Sequence, residues 1–209
     1  MINLWSFIIS FVASLLAIII TLVIERRRLP HLEIVASEEA NADNTYPGGG
    51  RWKFFRVAVS NKPFSKLLRW VPRQTAENCR PKIEFYDLNK KLLFGFNGRW
   101  ASTPELPQLE HDHLLKLLYP DPVTIPVGDS EFLDIIVKYE KDKEAYGWNN
   151  EAYIHNWRIP HYKLNCGKYL VKVTINTQNG ISFNRWFDLI VEEKIKDTSL
   201  ISRKSSRRR

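Results

Sequence analysis

Residues 167–191, GKYLVKVTINTQNGISFNRWFDLIV, decide the fold of this chain. In the first half of this stretch apolar residues alternate with polar ones, which predicts a strand with one buried face. Asn179 and Gly180 are the residue pair favoured in a two-residue type I′ turn. The second half alternates again and places Phe187 and Leu189 on one face. The stretch therefore predicts an antiparallel hairpin whose apolar face joins a core.

The same period of two recurs through most of the chain after Pro30. In residues 132–139, for example, we expect Leu133, Ile135 and Val137 to share one face. Seven or eight such strands with little helix predict an all-β fold, a two-sheet antiparallel Ig-like sandwich. Leucines at helical spacing predict one short amphipathic helix within residues 104–122. Besides the hairpin, strands are predicted at residues 31–37, 53–60, 82–86, 91–96, 122–127 and 132–139.

Two short motifs carry a family resemblance. Gly167–Val173 resembles the opening of the penultimate strand in immunoglobulin-like and fibronectin-III-like domains, and Pro126–Asp129 is similar to a turn of those folds. The resemblance implies that Tyr169 bonds back to the preceding loop. Cys79 and Cys166 depart from the antibody pattern, because neither lies in the middle of a predicted core strand. The resemblance implies a β-sandwich and no particular activity.

A long apolar segment precedes the strands. Leu4 to Ile24 are 21 consecutive residues without a charge. As a helix they span roughly 31 Å, close to the hydrocarbon core of about 30 Å. The alternative, a cleaved signal peptide, fits poorly, because Met1 to Asn3 carry no basic residue and the run ends in arginines rather than at a small-residue cleavage site. We therefore expect one retained transmembrane helix.

The charges beside this helix predict its orientation. No basic residue precedes the helix, whereas Arg26, Arg27 and Arg28 follow it directly. Basic flanks stay in the cytoplasm, so we expect the N-terminus outside and the sandwich in the cytoplasm. The two cysteines suit a reducing compartment, although pairing stays open if the orientation is reversed. Small residues four apart would also let two helices approach closely and form a homodimer in the membrane, through Ser6, Ser10 and Ser14.

The net charge of +8 is unevenly distributed. The three arginines after the helix and the seven basic residues from Lys194 onward supply the excess, whereas residues 31–193 are neutral. This pattern suits contact with anionic lipid better than a groove for nucleic acid, which we do not expect to bind. The predicted organisation is an anchor at 1–29, a sandwich at 30–193 with an insertion at 141–166, and a basic disordered tail at 194–209.

The insertion at 141–166 is far longer than a hairpin requires and is rich in aromatic and amide side chains. Long loops on a rigid scaffold often carry binding surfaces. The alternative is that the aromatic rings fold back and cap an open end of the sandwich. We expect Trp148 to be more exposed than Trp157. The candidate partner-binding residues are Tyr146, Trp148, Asn149, Asn150 and Tyr153.

Candidate catalytic and metal-binding residues are sparse. His111, His113 and His155, with nearby carboxylates, are the best candidates for a metal-dependent hydrolase, and His155, His161 and Cys166 form a second, looser group. No nucleophile elbow, phosphate-binding glycine loop or zinc-protease motif occurs, and no cofactor is expected. The favoured function is a membrane-tethered, non-enzymatic module that binds a protein partner at the membrane. An enzyme and an extracytoplasmic sensor are the alternatives.

Overall fold

This computed structural model describes residues 4–37, 40–43, 49–65, 72–104, 120–154 and 156–203. The amphipathic helix expected within 104–122 falls almost wholly outside these residues. Two α-helices, α1 (Leu4–Arg28) and α2 (Asn150–Ile154), and two 3₁₀ turns accompany the strands. The strands are β1 (Leu32–Ala36), β2 (Ala40–Asp43), β3 (Arg51–Asn61), β4 (Ala76–Tyr86), β5 (Leu92–Asn97), β6 (Arg99–Trp100), β7 (Val123–Ile125), β8 (Ser130–Tyr139), β9 (Ala145–Gly147), β10 (Lys163–Leu164), β11 (Gly167–Asn176), β12 (Ser182–Val191) and β13 (Ser199–Ser202).

The strands form two antiparallel sheets, which confirms the predicted all-β sandwich class. Sheet A has the order β1-β3-β8-β9-β10, with β2 beside β3 and β6 beside β8. Sheet B has the order β13-β12-β11-β4-β5, with β7 beside β4. Several of these strands are only two to four residues long, which is why the alternation indicated seven or eight strands and missed β2, β6, β9, β10 and β13.

The main core lies between the inner faces of the two sheets. On β11 the alternate residues Val171, Val173 and Ile175 are fully buried, and on β12 Phe187 and Leu189 are as well. The inner positions expected on β3 are also in this core. Cross-strand pairs of buried apolar side chains thus join the central strands of both sheets, as the alternation predicted.

The β11–β12 turn differs from the expected type I′ turn. Thr177 and Ile181 still pair, because the Thr177 N–H donates to the Ile181 carbonyl over 3.0 Å. The loop between them therefore has three residues, Gln178–Gly180, and only Gly180 has a positive φ, of 75°. A type I turn followed by a left-handed glycine is the usual three-residue hairpin. The Asn-Gly pair therefore predicted the position of the turn correctly and the length of its loop incorrectly.

Strand β8 contains a bulge that reverses its faces. Phe55 pairs with Ile136 whereas the next residue, Arg56, pairs with Asp134, so Ile135 is the extra residue. Leu133 and Ile135 lie in the main core as expected. Beyond the bulge, Val137 belongs instead to a separate cluster on the other face. The expectation that these alternate residues share one face is therefore wrong after Ile135.

Part of the predicted C-terminal tail is ordered. Residues 199–202 form β13, which pairs with β12, and the Arg203 N–H continues that ladder to the Trp186 carbonyl. The basic composition from Lys194 onward had suggested disorder throughout. The composition did not reveal that Leu200 packs against the main core. This contact offsets the conformational entropy that is lost when the strand becomes ordered. Residues 204–209 lie outside the described part of the chain.

Helix α1 meets the sandwich through a hydrogen-bonded joint. The Gln74 N–H donates to the Arg28 carbonyl over 2.6 Å, and Arg73 Nη1 donates to the Leu29 carbonyl over 3.1 Å. The Lys62 N–H bonds to the His31 carbonyl in the same region. The last carbonyls of a helix have no partner within it, so these donors from the sandwich fix the direction in which the helix leaves.

A charge placed in the core should unfold the sandwich. Val173→Asp buries a carboxylate at a position with no solvent exposure, which costs several kcal/mol of unfolding free energy. Thr174→Asp, one residue along the same strand, lies on the outer face opposite Lys82 and should change stability by less than about 1 kcal/mol. Urea denaturation of the full chain in detergent measures both. Equal losses would contradict the register of β11.

Candidate functional site

The aromatic insertion builds a second apolar cluster on the outer face of sheet A. Tyr146 and Trp157 pack on the outer side chains of β3 and β8 beyond the bulge, whereas Tyr162 joins the main core beside Phe96. The Trp52 and Trp157 rings are 4.1 Å apart between centroids, and Tyr139 lies within about 6 Å of both. The buried members are Trp52, Val137, Tyr139, Tyr146 and Trp157, with Phe54 and Trp148 packed at the margin.

The two asparagines of the insertion have structural contacts. Asn149 Oδ1 accepts the Ala152 N–H over 2.8 Å and so caps the start of α2. Asn150 Oδ1 accepts a hydrogen bond from Arg99 Nη1, also over 2.8 Å. Both side chains are buried. Their amide groups are therefore committed to holding the insertion against the sheet.

Arg99 is the central polar residue of this face. Besides Asn150, its guanidinium donates to the carbonyls of Thr103 and Pro104 over 3.0 and 3.1 Å. The same group lies 4.2 Å from the centroid of the Tyr153 ring, within cation–π range. Arg99 is buried, so these contacts replace the water that it would otherwise bind. It joins β6, α2 and the segment after β6.

An ion pair lies beside Arg99. Arg56 Nη2 is 2.8 Å from Asp134 Oδ1, and Arg99 is the cross-strand neighbour of Asp134 on β6. Burial raises the pKa of Asp134, while the neighbouring Arg56 guanidinium opposes this shift. The three residues place two cations against one carboxylate, where the apolar cluster ends. No sequence signal distinguished Asp134 from an ordinary outer-face aspartate.

Two further cations fix the loop that leads into the insertion. Lys138 is fully buried, and its Nζ donates to the carbonyls of Asp142, Lys143 and Glu144. Burial lowers the pKa of this lysine. Arg158 forms two 2.8 Å bonds to the Asp142 carboxylate, which raises its pKa. These contacts give the insertion a fixed conformation.

The predicted partner-binding residues divide into two groups. Tyr146, Asn149 and Asn150 are buried, so they shape the insertion from within. Trp148 and Tyr153 are partly exposed and lie in an edge-to-face pair with centroids 6.2 Å apart. The expected order of exposure is confirmed, because Trp157 is only 6% exposed. Partner binding at this face stays a prediction, and Trp148 with Tyr153 supplies its accessible area.

The residues proposed for metal chemistry are not brought together in the described part of the chain. His111, His113 and His155 lie outside it. His161 and Cys166 are both exposed. Among the described residues no group of three histidine, cysteine or carboxylate side chains is placed to hold an ion. The described part of the chain therefore provides no arrangement of side chains that supports a metal-dependent hydrolase.

Comparisons with known proteins give little guidance. No protein-family model matches the chain, and no curated protein matches it. Among solved structures, the C-terminal domain of wzt aligns with 84% of this chain and 79% of its own length. The sequence identity is 13% and the TM-score is 0.32. Function therefore rests on the geometry of this chain.

Removing the Arg99 acceptor should weaken the fold measurably. Asn150→Ala leaves part of a buried guanidinium without its 2.8 Å partner, which we expect to cost about 1–3 kcal/mol of unfolding free energy. Asn165→Ala removes an exposed amide from the same insertion and should stay within about 0.5 kcal/mol. Urea melts followed by tryptophan fluorescence compare the two variants. An Asn150 variant as stable as the control would contradict a structural role for this contact.

The two thiols should react at very different rates. Cys166 is exposed, whereas Cys79 is fully buried and its burial raises the pKa to about 11. The thiolate is the reactive form, so one thiol per chain should react with Ellman's reagent at pH 8 until the protein is denatured. Cys166→Ser should abolish the native reaction. Rapid native labelling of that variant would contradict the placement of Cys79.

Proposed function

We propose that this protein is a membrane-tethered, non-enzymatic β-sandwich that binds a protein partner at the membrane surface. The observation that carries the proposal is helix α1. It is long and apolar enough to cross a bilayer, and none of its apolar stretch is buried against the sandwich. A helix that is hydrophobic on all sides needs an apolar environment. A bilayer supplies that environment, and the joint at Arg28 then holds the sandwich beside the bilayer.

The orientation follows from the residues at the end of α1. Arg26 and Arg27 are exposed, and Arg28 pairs with Glu25 over 2.9 Å. Because basic residues flanking a span remain cytoplasmic, the sandwich is assigned to the cytoplasmic side. Anionic lipids are concentrated in that leaflet and would attract these arginines. Self-association through Ser6, Ser10 and Ser14 remains part of the proposal. In the described residues, Ser14 Oγ donates to the Ser10 carbonyl.

Two accessible apolar surfaces support a protein partner. The partly exposed rings of Trp148 and Tyr153 form one on sheet A. The other is the β4–β5 hairpin, where Leu88, Leu92 and Leu93 are 62%, 51% and 45% exposed. Since β4 begins near the joint and is 11 residues long, this hairpin lies about 35 Å from it. Clustered exposed apolar residues typically mark interaction sites.

Cys166 is a natural reporter of orientation. It is exposed and directly precedes β11. The other end of β11 leads into the β11–β12 turn, where β11 pairs with the part of β4 near the joint, so Cys166 lies at the end of the strand away from the joint. In intact cells a membrane-impermeant maleimide should leave it unmodified, and permeabilised cells should show labelling. Cys166→Ser provides the background. Labelling in intact cells would reverse the orientation and favour the extracytoplasmic sensor.

Substitution of the exposed rings tests the partner surface. Trp148→Ala should keep most of the stability and lose the proteins that co-purify with the full chain from native membranes. Trp157→Ala, in the buried cluster, should instead cost about 3–5 kcal/mol. Leu92→Ser is the matched test of the hairpin surface. If both exposed variants remain folded and keep every partner, neither surface is the binding site.

A further inference from the structure

An arginine occupies an inner-face position of β12. Arg185 pairs directly with Val173, which is fully buried in the main core, so the two side chains share the inner face of sheet B. Its neighbours on that face, Phe183 and Phe187, pack in or against the core. The Arg185 Nε atom is buried and makes no hydrogen bond with any described residue. A buried donor without a partner is costly, so an acceptor bound beside Arg185 would stabilise this position.

Arg185 lines a cleft of about 250 Å³ between β1 and β12. The ladder from β13 and Arg203 covers β12 only from Trp186 to Ile190, which leaves the residues of β12 before Trp186 opposite β1. The cleft also offers backbone donors. His31 and Ser37 bond to β3, so by the alternation of antiparallel pairing Leu32 and Ile34 direct their N–H groups away from β3. The lining residues are His31, Leu32, Glu33, Ile34, Val35, Phe183, Asn184 and Arg185.

The charges in the cleft favour an anion. Arg185 is the cation, and His31 adds a further donor at the mouth. Glu33 is the acidic residue of the lining, and its carboxylate is paired with Lys62 over 2.9 Å. The unmatched charge in the cleft is therefore positive. Guanidinium and backbone N–H groups together suit a phosphate, which accepts several hydrogen bonds.

The position of the cleft indicates the source of that phosphate. His31 lines the cleft and follows Arg28 by three residues, so this part of the lining lies within about 11 Å of the end of α1. Lipid head groups lie at this level if α1 spans a bilayer, and the arginines of α1 would concentrate anionic lipids there. The volume is below the usual range of about 300–1,000 Å³ for drug-sized ligands, so the cleft fits a head group rather than an acyl chain.

We propose that the β1–β12 cleft binds the phosphate of an anionic phospholipid head group, with Arg185 as its principal ligand. This inference rests on the proposed membrane tether, because the tether brings the cleft to the head-group layer. It adds a specific site to the diffuse attraction of Arg26–Arg28. One lipid bound in this way would fix the sandwich against the bilayer along its β1 edge.

Native mass spectrometry of the full chain in a neutral detergent tests the site. Phosphatidylglycerol should bind at one site, and phosphatidylcholine should not. Arg185→Leu should weaken phosphatidylglycerol binding by about tenfold or more, because it removes a charged hydrogen-bond donor. Arg80→Leu removes the same charge from an exposed position on β4 and should leave binding unchanged. Equal binding by wild type and Arg185→Leu, or equal losses in both variants, would overturn the site.

A stability measurement and a second variant distinguish a ligand-binding role of Arg185 from a structural role. Without lipid, Arg185→Leu should melt no lower than wild type, because an apolar side chain replaces a partly buried one whose buried Nε makes no hydrogen bond with any described residue. A lower melting temperature with unchanged lipid binding would show that Arg185 is only structural. Glu33→Gln removes the acidic group of the cleft and should tighten binding, which keeps the test decisive if Arg185→Leu fails to fold. Unchanged or weaker binding by Glu33→Gln would count against the proposal.

The source of the phosphate is tested by competition. Glycerol phosphate should displace the lipid only at a large excess, and displacement at equal concentration would overturn the lipid assignment. Because the lipid is supplied in detergent, binding does not depend on whether α1 crosses a bilayer. A chain that binds phosphatidylglycerol but is not an integral membrane protein would refute the tether and leave the cleft as a phosphate site.

Discussion

The apolar surface of α1 is the constraint on which the rest of the structure depends. This helix is apolar on every side and is not covered by the sandwich. Removing apolar surface from water is worth roughly 25 cal/mol per Å², so the free energy of this helix is much lower in a bilayer than in water. The sandwich consequently folds around a core of its own, to which α1 contributes none of the buried residues described.

The joint between helix and sandwich determines which surfaces of the sandwich lie near the end of α1. Hydrogen bonds to the Arg28 and Leu29 carbonyls connect α1 to the segment before β4. Strands β1 and β4 both lead away from this point, which places the β1–β12 cleft close to it and the β4–β5 hairpin far from it. The architecture therefore separates an end of the sandwich near the joint from the end that carries the β4–β5 hairpin.

Much of the fold followed from periodicity. Alternation identified the central strands and their inner faces, as at Val173, because one face of each had to be apolar. The bond from Tyr169 Oη to the Asn165 carbonyl, at 2.9 Å, confirms the contact that the immunoglobulin-like resemblance implied. The bulge could not be predicted, because Ile135, Ile136 and Val137 are consecutive apolar residues and the pattern does not show which of them is the extra one.

The candidate site was less predictable for a related reason. Amide side chains serve equally well in binding surfaces and in caps, so Asn149 and Asn150 gave no indication of their structural contacts. Arg99 and Asp134 come together only through the pairing of β6 with β8, a two-residue strand that alternation cannot detect. Arg185 did carry a signal, since it interrupts an apolar face, but its meaning depends on the cleft beside it.

The most direct test of the membrane tether is alkaline carbonate extraction of the full-length chain, combined with its intact mass. The account predicts that the chain stays in the membrane pellet and retains the mass of 24.6 kDa that includes α1. Removal of α1 by cleavage, or release of the intact chain into the supernatant, would contradict a retained membrane anchor and the function proposed from it.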